Sequence, residues 1–140
     1  MKRVYIDMDD TLCDFMGPFR SGEWKLKYPQ SKVGFFLNLQ PFDCAIEGVK
    51  LLQAKYDVWI LTRPSIKNTH CYTEKAEWIK KYFGEKMLHK LILCPDKSLV
   101  KGDFLIDDDS RHGQPEFEGE WLQFGTEKFP DWKSIIKYLI

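Results

Sequence analysis

The sequence predicts an α/β fold, a Rossmann-like three-layer sandwich built on a central parallel sheet. Two observations favour this class. Short apolar runs alternate along the chain with longer segments of helical periodicity, and no internal repeat or low-complexity segment interrupts the alternation. Apolar strands joined by helices or long crossovers are typical of a parallel sheet that is covered on both faces.

The sequence predicts five strands and three helices, with residues typical of helix ends at their boundaries. Strands are expected at about residues 3–7, 58–61, 90–93, 104–106 and 121–124. Helices are expected from a cap at Asp43 to about Tyr56, from about Asn68 to Phe83 with Gly84 as the stop, and after a cap at Asp131. Helical spacing predicts that these helices bury Ala45, Val49, Leu52 and Tyr56 in the first, Tyr72, Ala76, Ile79 and Phe83 in the second, and Trp132, Ile135, Ile136 and Leu139 in the third.

Residues 14–40 form an insertion after the first strand. Frequent glycine and proline break any long periodic element there, yet the segment is rich in aromatic residues: Phe15, Phe19, Trp24, Tyr28, Phe35 and Phe36. A solvated linker does not carry so many aromatics, so we expect a compact cap that forms a lid or substrate wall. The alternative, that these rings only seal the core, stays open because buried aromatics mostly serve packing.

Bulk composition limits the function classes. A chain of 140 residues supports one core, so we expect a single domain over residues 1–140. The 21 basic and 21 acidic residues cancel, which argues against binding a nucleic-acid polymer or an anionic membrane surface. Four dispersed cysteines without metal-site spacing, and no apolar run long enough to span a membrane, favour a cytoplasmic protein with reduced thiols.

Polar groups follow four of the predicted strands. They are Asp7 and Asp9 after the first strand, Thr62 after the second, Lys97 after the third, and Asp107 and Asp108 after the fourth. The carboxyl ends of parallel strands meet at one edge of a sheet, so these groups should converge on one crevice. Clustered carboxylates repel one another unless a cation or a shared proton offsets their charge, which indicates a metal site or an acid/base pair. Together with a hydroxyl and an ammonium group, the set suits a phosphoryl group and Mg²⁺.

Several neighbouring residues have simpler interpretations. Asp10 is expected in a turn, and Asp109 in solvent or behind the site. The three histidines have no partner at ligand spacing and are given no role. Arg63 and Arg111 flank the strand ends, and Arg63 is the stronger candidate for contact with a substrate, although an exposed arginine is the default.

The order Asp-x-Asp-x-Thr, Thr, Lys, Asp-Asp resembles the haloacid dehalogenase-like (HAD) phosphohydrolase superfamily. Further motifs are similar to the 5'(3')-deoxyribonucleotidases of that superfamily: Gly34-Phe35-Phe36, His70-Cys71, Glu74-Lys75, Trp78 and Leu105-Ile106-Asp107-Asp108. The resemblance extends from Val4 to about Phe124.

The resemblance implies a mechanism and a substrate class. Asp7 would be the nucleophile that attacks phosphorus to give an aspartyl-phosphate, and Asp9 the acid and then the base. A Mg²⁺ ion would be held by Asp7, by the backbone carbonyl of Asp9, and by Asp107 or Asp108. The phosphoryl group would be bound by Thr62, Lys97 and Arg63, and the leaving group of a small phosphomonoester, a nucleoside monophosphate, would lie near Phe15, Phe35 and Phe36.

Two departures from the family pattern concern substrate recognition. The segment from Asp14 to Val33 is only about 20 residues, shorter than the helical cap typical of the family, and Arg63 stands where serine is common. A phosphatase for another phosphometabolite therefore stays open, as does a homodimer whose neighbouring subunit completes the lid. A phosphate-responsive signalling module is a third alternative, but its phosphorylated Asp would follow a middle strand, where this chain has Leu61-Thr62. An inactive scaffold is disfavoured by the intact acidic set.

Overall fold

A five-stranded parallel sheet forms the centre of the computed structural model, which describes residues 1–22 and 27–140. The strands are β1 (Arg3–Ile6), β2 (Asp57–Thr62), β3 (Leu91–Leu93), β4 (Phe104–Asp107) and β5 (Glu120–Gln123). Their order is β3-β2-β1-β4-β5, and every pair is parallel. The predicted α/β class is confirmed, and all five carboxyl ends lie at one edge of the sheet.

Four α-helices accompany the sheet in the described ranges: α1 (Gly17–Ser21), α2 (Ala45–Gln53), α3 (Cys71–Phe83) and α4 (Trp132–Leu139). The predicted cap of α4 is confirmed, because Asp131 Oδ1 accepts a hydrogen bond from Ser134 N at 2.9 Å and the Ser134 hydroxyl accepts one from Asp131 N. The predicted stop of α3 at Gly84 is also confirmed. No helix in these ranges combines the length and apolarity needed to cross a membrane.

Two helix starts differ from the prediction. Asp43 does not cap α2, which begins after Cys44, a residue with φ of +66° and no capping side-chain bond. A tight turn in which Ala45 N donates to Phe42 O leaves Asp43 exposed outside the helix. Helix α3 begins at Cys71 instead of Asn68, because Asn68 Oδ1 accepts a hydrogen bond from His70 N and holds a turn there.

The buried face of α3 also differs from the predicted one. Tyr72, expected inside, is 51% exposed. The buried residues of α3 are Cys71, Glu74, Lys75, Trp78 and Ile79. Two charged residues, Glu74 and Lys75, thus belong to the inner face of α3. The buried face is therefore rotated away from the one predicted from apolar residues alone. In α2, by contrast, the predicted face is confirmed, since Ala45, Val49 and Leu52 are buried.

The two faces of the sheet are covered differently. Helices α2, α3 and α4 all contribute to the core on the face that carries Val4 and Ile6. The opposite face, with Tyr5, Leu61 and Leu105, packs against Phe117 and loop residues. After β3 the chain crosses to the other side of β1, and a right-handed crossover in that direction runs over the opposite face. The connections from β3 to β4 and from β4 to β5 contain only 3-10 turns, at residues 97–99 and 114–116. The layer on this face is therefore thin.

Candidate active site

Two acidic side chains and one lysine form a buried cluster at the carboxyl edge. Asp7 directly follows β1, and Asp107 ends β4, which pairs with β1. Lys97 Nζ donates to Asp7 Oδ1 at 2.6 Å and to Asp107 Oδ2 at 2.5 Å. All three side chains are almost fully buried, so each charge depends on the others in place of water. The two carboxylates raise the pKa of Lys97 against the effect of its burial, and the ammonium group stays charged.

The two adjacent acids at the end of β4 have different surroundings. Both oxygens of Asp107 are engaged: Oδ1 accepts from Asp109 N at 3.0 Å, and Oδ2 accepts from Gln114 Nε2 at 3.1 Å as well as from Lys97. Asp108 is half-buried, lines the cleft and accepts one hydrogen bond, from Thr11 Oγ1 at 3.2 Å. Asp108 is therefore the freer of the two carboxylates.

A divalent cation suits this group of acids. One carboxylate oxygen from each of Asp7, Asp107 and Asp108 lies within 4.8 Å of the others. Burial, and next the negative charge of Asp7, raise the pKa of Asp107 to about 7 and that of Asp108 to about 9. Hard oxygen ligands at such spacing are what Mg²⁺ prefers, and its charge would offset the repulsion. The carboxylate of Asp9 is not one of these three.

Asp9 instead points to a second lysine. Lys75 of α3 is fully buried, and its Nζ donates to Asp9 Oδ2 at 3.0 Å, to Thr62 Oγ1 at 2.7 Å and to the carbonyl oxygen of Arg63 at 2.6 Å. Burial raises the pKa of Asp9, and the positive charge of Lys75 opposes that rise. The two acids that follow β1 thus have separate cationic partners, Lys97 for Asp7 and Lys75 for Asp9.

The loop after β1 makes a tight bend beside these acids. Asp10 has φ of +59°, a left-handed conformation that aspartate tolerates better than most residues, and its Oδ1 accepts a hydrogen bond from Met16 N. Burial raises the pKa of Asp10 to about 6. The Asp10 side chain thus stabilises the bend through this hydrogen bond, which agrees with the turn position predicted for it.

A cleft of about 320 Å³ opens above the acids. Its walls include Phe15, Gln30, Arg63, Arg111 and His112. The Arg111 guanidinium is held by Asp109 through two hydrogen bonds, at 2.9 and 2.7 Å, whereas the exposed Arg63 side chain makes no ion pair with any described residue. Thr62 is fully buried beneath this surface, at the end of β2.

The phenylalanines of the insertion divide between core and cleft. Phe35 and Phe36 are each 1% exposed, and with Phe15 they form a cluster whose ring centroids are 5.1 to 6.1 Å apart. Phe15 lines the cleft, Phe36 lines a neighbouring pocket, and Phe35 packs behind both. Phe35 therefore seals the core, whereas Phe15 and Phe36 lie where a substrate wall is predicted. Trp24 lies outside the described residues.

Helix α3 holds the insertion in place. Glu74 accepts hydrogen bonds from Gly34 N at 2.8 Å and from Phe36 N at 3.1 Å, and Trp78 Nε1 donates to Leu39 O at 2.8 Å. Gly34 has φ of +91°, a conformation that favours glycine and turns its N–H toward Glu74. Asn68 Nδ2 adds a bond to Lys32 O at 3.1 Å. The cap is thus attached to the same helix that supplies Lys75.

Lys75 and Gln114 bond to residues of the acidic cluster, and Glu74 bonds to the insertion. The sequence marked Glu74-Lys75 only as a motif of the family resemblance, and it gave none of the three residues a role. For Glu74 and Lys75 a signal existed, because each lies four residues before a buried apolar residue, Trp78 or Ile79, on the same helical face. Charged residues on such a helical face mean either that the face is not buried or that the charges have partners inside the protein. Gln114 comes from a loop whose local sequence carries no comparable signal.

Comparison with known proteins gives a consistent picture. The family described as 5' nucleotidase, deoxy (pyrimidine), cytosolic type C matches residues 20–128. A protein of Vibrio phage KVP40, provisionally named a 5'(3')-deoxyribonucleotidase, is 35% identical over 97% of this chain and 83% of its own length. The human mitochondrial 5'(3')-deoxyribonucleotidase is 30% identical over 96% of this chain and 69% of its own length.

Solved structures support the fold. A haloacid dehalogenase-like family hydrolase from Xanthomonas campestris superposes with a TM-score of 0.70 at 10% identity, covering 99% of this chain and 90% of its own. A Bacillus subtilis protein, provisionally described as a HAD hydrolase and solved with bound magnesium, has a TM-score of 0.64 at 11% identity over 99% of this chain and 98% of its own.

Proposed function

Because this chain belongs to the 5' nucleotidase, deoxy (pyrimidine), cytosolic type C family, we propose that it is a Mg²⁺-dependent 5'(3')-deoxyribonucleotidase. It is a phosphoric monoester hydrolase, and its proposed substrates are small nucleoside monophosphates. The observation that carries the proposal is the paired arrangement after β1, in which Asp7 contacts Lys97 and Asp9 contacts Lys75 at the floor of one cleft. Two carboxylates with different partners can perform different steps of one reaction.

In the proposed first step, a carboxylate oxygen of Asp7 attacks phosphorus, and the bond from phosphorus to the leaving oxygen breaks. Asp9 gives its proton to that oxygen, so the leaving group departs as a neutral alcohol. In the second step Asp9 takes a proton from a water molecule that attacks the aspartyl-phosphate. The acyl-phosphate P–O bond then breaks, which releases inorganic phosphate and restores the Asp7 carboxylate.

Neighbouring groups would stabilise the phosphoryl charge. The Thr62 hydroxyl accepts a hydrogen bond from Lys75, so its own proton is free to go to a phosphoryl oxygen. Lys97 and Arg63 supply positive charge beside the cleft. We assign the metal to Asp7, the backbone carbonyl of Asp9 and Asp108, since Asp107 is already fully hydrogen-bonded. When bound, Mg²⁺ would neutralise the carboxylates and polarise the phosphoryl group.

Residues 14–40 serve in this proposal as the small cap of a single hydrolase domain spanning residues 1–140. Phe15 and Phe36 would contact the leaving nucleoside, and Phe35 would support them from the core. A cytoplasmic location is part of the proposal; it is supported by the four free cysteines and by similarity to a human relative of cytosolic type, 36% identical over 74% of this chain and 47% of its own length.

The test is phosphate release from a panel of nucleoside monophosphates and sugar phosphates, with and without Mg²⁺. We expect Mg²⁺-dependent release from the nucleotides. Asp7→Asn should lower turnover by about 10³-fold or more, because an amide cannot act as the nucleophile. The matched control is Asp43→Asn, the same change at an exposed position outside the acidic cluster, which should retain turnover.

Three results would contradict parts of this proposal. Equal turnover by Asp7→Asn would remove the nucleophile assignment. Hydrolysis of sugar phosphates without hydrolysis of nucleotides would indicate another phosphometabolite. A stable acyl-phosphate after incubation with a small phosphodonor would indicate a signalling module. Thermal unfolding of each variant separates loss of chemistry from loss of fold.

A further inference from the structure

A second cavity, which we name the side pocket, adjoins the cleft and holds about 300 Å³. It shares Asp9, Phe15, Gln30 and Arg63 with the cleft. This volume is at the lower end of the range typical of small-ligand sites. If Asp9 protonates the leaving oxygen, the rest of the leaving group must extend away from the acids. The side pocket shares Asp9 with the cleft, so a leaving group bonded at Asp9 can extend into it.

One polar atom beside the side pocket lacks a partner. The carboxamide oxygen of Gln30 is buried, and no donor in the described part of the chain reaches it. A buried acceptor without a hydrogen bond is unfavourable and uncommon in folded proteins. The Gln30 side chain as a whole is only half-buried and lines both cavities. A turn of this side chain would bring its oxygen to a donor on a bound molecule.

We infer that Gln30 is a specificity-determining residue, which selects leaving groups that present an N–H to its carboxamide oxygen. This inference rests on the proposed nucleotidase function and deepens it. The neighbouring Phe15 ring, which is half-buried and stacks on the buried Phe36, offers apolar surface to a planar ring. The Gln30 amide can accept from an N–H and donate to an adjacent acceptor, which is the pattern on the hydrogen-bonding edge of a pyrimidine base.

The experiment combines a change in the enzyme with a change in the substrate. Gln30→Leu removes both polar atoms at similar size, and 3-methylthymidine 5'-monophosphate removes the N–H from the base of dTMP. We expect wild-type kcat/KM to fall about tenfold on methylation, the effect of one lost hydrogen bond. Gln30→Leu should lower kcat/KM for dTMP by about the same factor and abolish the discrimination between the two nucleotides.

Two controls separate specificity from general damage. Deoxyribose 5-phosphate has no base, so Gln30→Leu should change its kcat/KM less than about twofold, within ordinary scatter for a residue that makes no contact. Gln40→Leu is the same substitution at an exposed position of the same segment, outside both cavities, and should leave all three substrates unchanged.

The outcomes distinguish this inference from the function on which it rests. If wild-type protein hydrolyses dTMP and Gln30→Leu still discriminates against the methylated base, the Gln30 inference is wrong and the nucleotidase function stands. An equal loss on all three substrates would show a structural role for Gln30 and also overturn the inference. Hydrolysis of deoxyribose 5-phosphate with none of dTMP would overturn both. The wild-type comparison of the two nucleotides needs no variant, so it holds even if Gln30→Leu folds poorly.

Discussion

Lys75 is a fully buried ammonium group whose three hydrogen bonds all go to the site. Its Nζ also lies 5.1 Å from the centroid of the Phe36 ring. A buried lysine is costly unless its protons are matched by acceptors, and here each proton has one. The residue therefore fixes Asp9 relative to the end of β2, and it does so from a helix, outside the strands that carry the proposed catalytic groups.

We predict that Lys75→Met impairs both activity and stability. Methionine has a similar length but leaves Asp9, Thr62 and the Arg63 carbonyl without their donor. Breaking one side of a buried ion pair costs about 3 kcal/mol or more, so the free energy of unfolding in urea should fall by that order. We expect kcat/KM for a nucleotide to fall at least about 10²-fold, because the acid/base group loses its orientation.

The pH profile distinguishes positioning of Asp9 from mere support of the fold. The positive charge of Lys75 opposes the rise in the pKa of Asp9, so removing it should move the Asp9 limb of the pH–rate profile to higher pH. Lys80→Met, at an exposed position of the same helix, should leave the profile unmoved. An unshifted limb in Lys75→Met would contradict the role given to Lys75.

At the scale of elements, α3 connects the proposed cap to the ends of β1 and β2. Successive residues of this helix face two different segments, Glu74 the backbone of the cap and Lys75 the ends of β1 and β2. A change in the position of the cap would therefore also displace α3, the helix that orients Asp9. The short 3-10 turn at residues 36–38 has no capping side-chain hydrogen bond of its own, and Glu74 of α3 accepts a bond from its first residue, Phe36.

We predict that Glu74→Gln loosens the cap without unfolding the protein. A carboxylate accepts from Gly34 N and Phe36 N together, whereas an amide offers one oxygen and turns an NH₂ toward the other N–H. The loss should be about 1 to 2 kcal/mol, typical of a hydrogen bond to a charged group. Hydrogen exchange at Gly34 and Phe36 should accelerate, and KM should rise more than kcat falls.

Glu77→Gln is the control for this prediction, since Glu77 is exposed on the same helix. It should leave exchange in the cap unchanged. If Glu74→Gln exchanges these two amides at the wild-type rate, the cap is held by the Trp78 and Asn68 bonds alone.

Local sequence patterns predicted the buried face of a helix well where the buried side chains are apolar, and poorly where they are polar. The face of α2 and the Asp131 cap of α4 follow from spacing and capping chemistry alone. The inner face of α3 does not, because it buries Glu74 and Lys75 for partners that are distant in the sequence. The same limit applies to the site. Strand ends indicated that Asp7, Lys97 and Asp107 would meet, but not that Gln114 would join them.

At the scale of the molecule, the sheet separates the edge that carries the proposed active site from an edge that carries an ion-pair network. Its carboxyl edge carries the acids and the cleft. The thin covering of one face could not be predicted, because the side on which a crossover runs depends on strand order, which no local pattern encodes. Trp59 on that face is instead partly shielded by the side chains of Arg3 and Lys90, which lie 5.4 and 5.8 Å from its ring centroid.

Ion pairs connect the strands at the opposite edge of the sheet. Asp57 begins β2, and its carboxylate accepts hydrogen bonds from Arg3 Nε of β1 at 2.9 Å, from Lys90 Nζ just before β3 at 2.6 Å, and from Trp59 Nε1 at 3.0 Å. Three adjacent strands are thus joined at the edge opposite the acidic cluster. The bond from Lys90, followed by that from Trp59, lowers the pKa of Asp57 well below its usual range.

We predict that this network makes stability depend on pH in a defined window. A carboxyl whose pKa is lower in the folded state contributes stability above its unfolded pKa of about 4, and loses it as the pH falls below that value. Arg3 and Lys90 are 43% and 44% exposed, so solvent screening limits the contribution to about 1 kcal/mol. Asp57→Asn should lower the free energy of unfolding by that amount at pH 7, and its difference from wild type should shrink by about half at pH 3.5.

Urea unfolding from pH 7 to pH 3.5 measures this difference, and Glu127→Gln, at an exposed position with no ion pair among the described residues, controls for the loss of one negative charge. Because the network lies at the far edge of the sheet, Asp57→Asn should keep wild-type kcat/KM at temperatures where it is folded. A constant difference across the pH range would mean that Asp57 acts through packing or its bond to Trp59 and not through its charge. A fall in kcat/KM would mean that the two edges of the sheet are coupled.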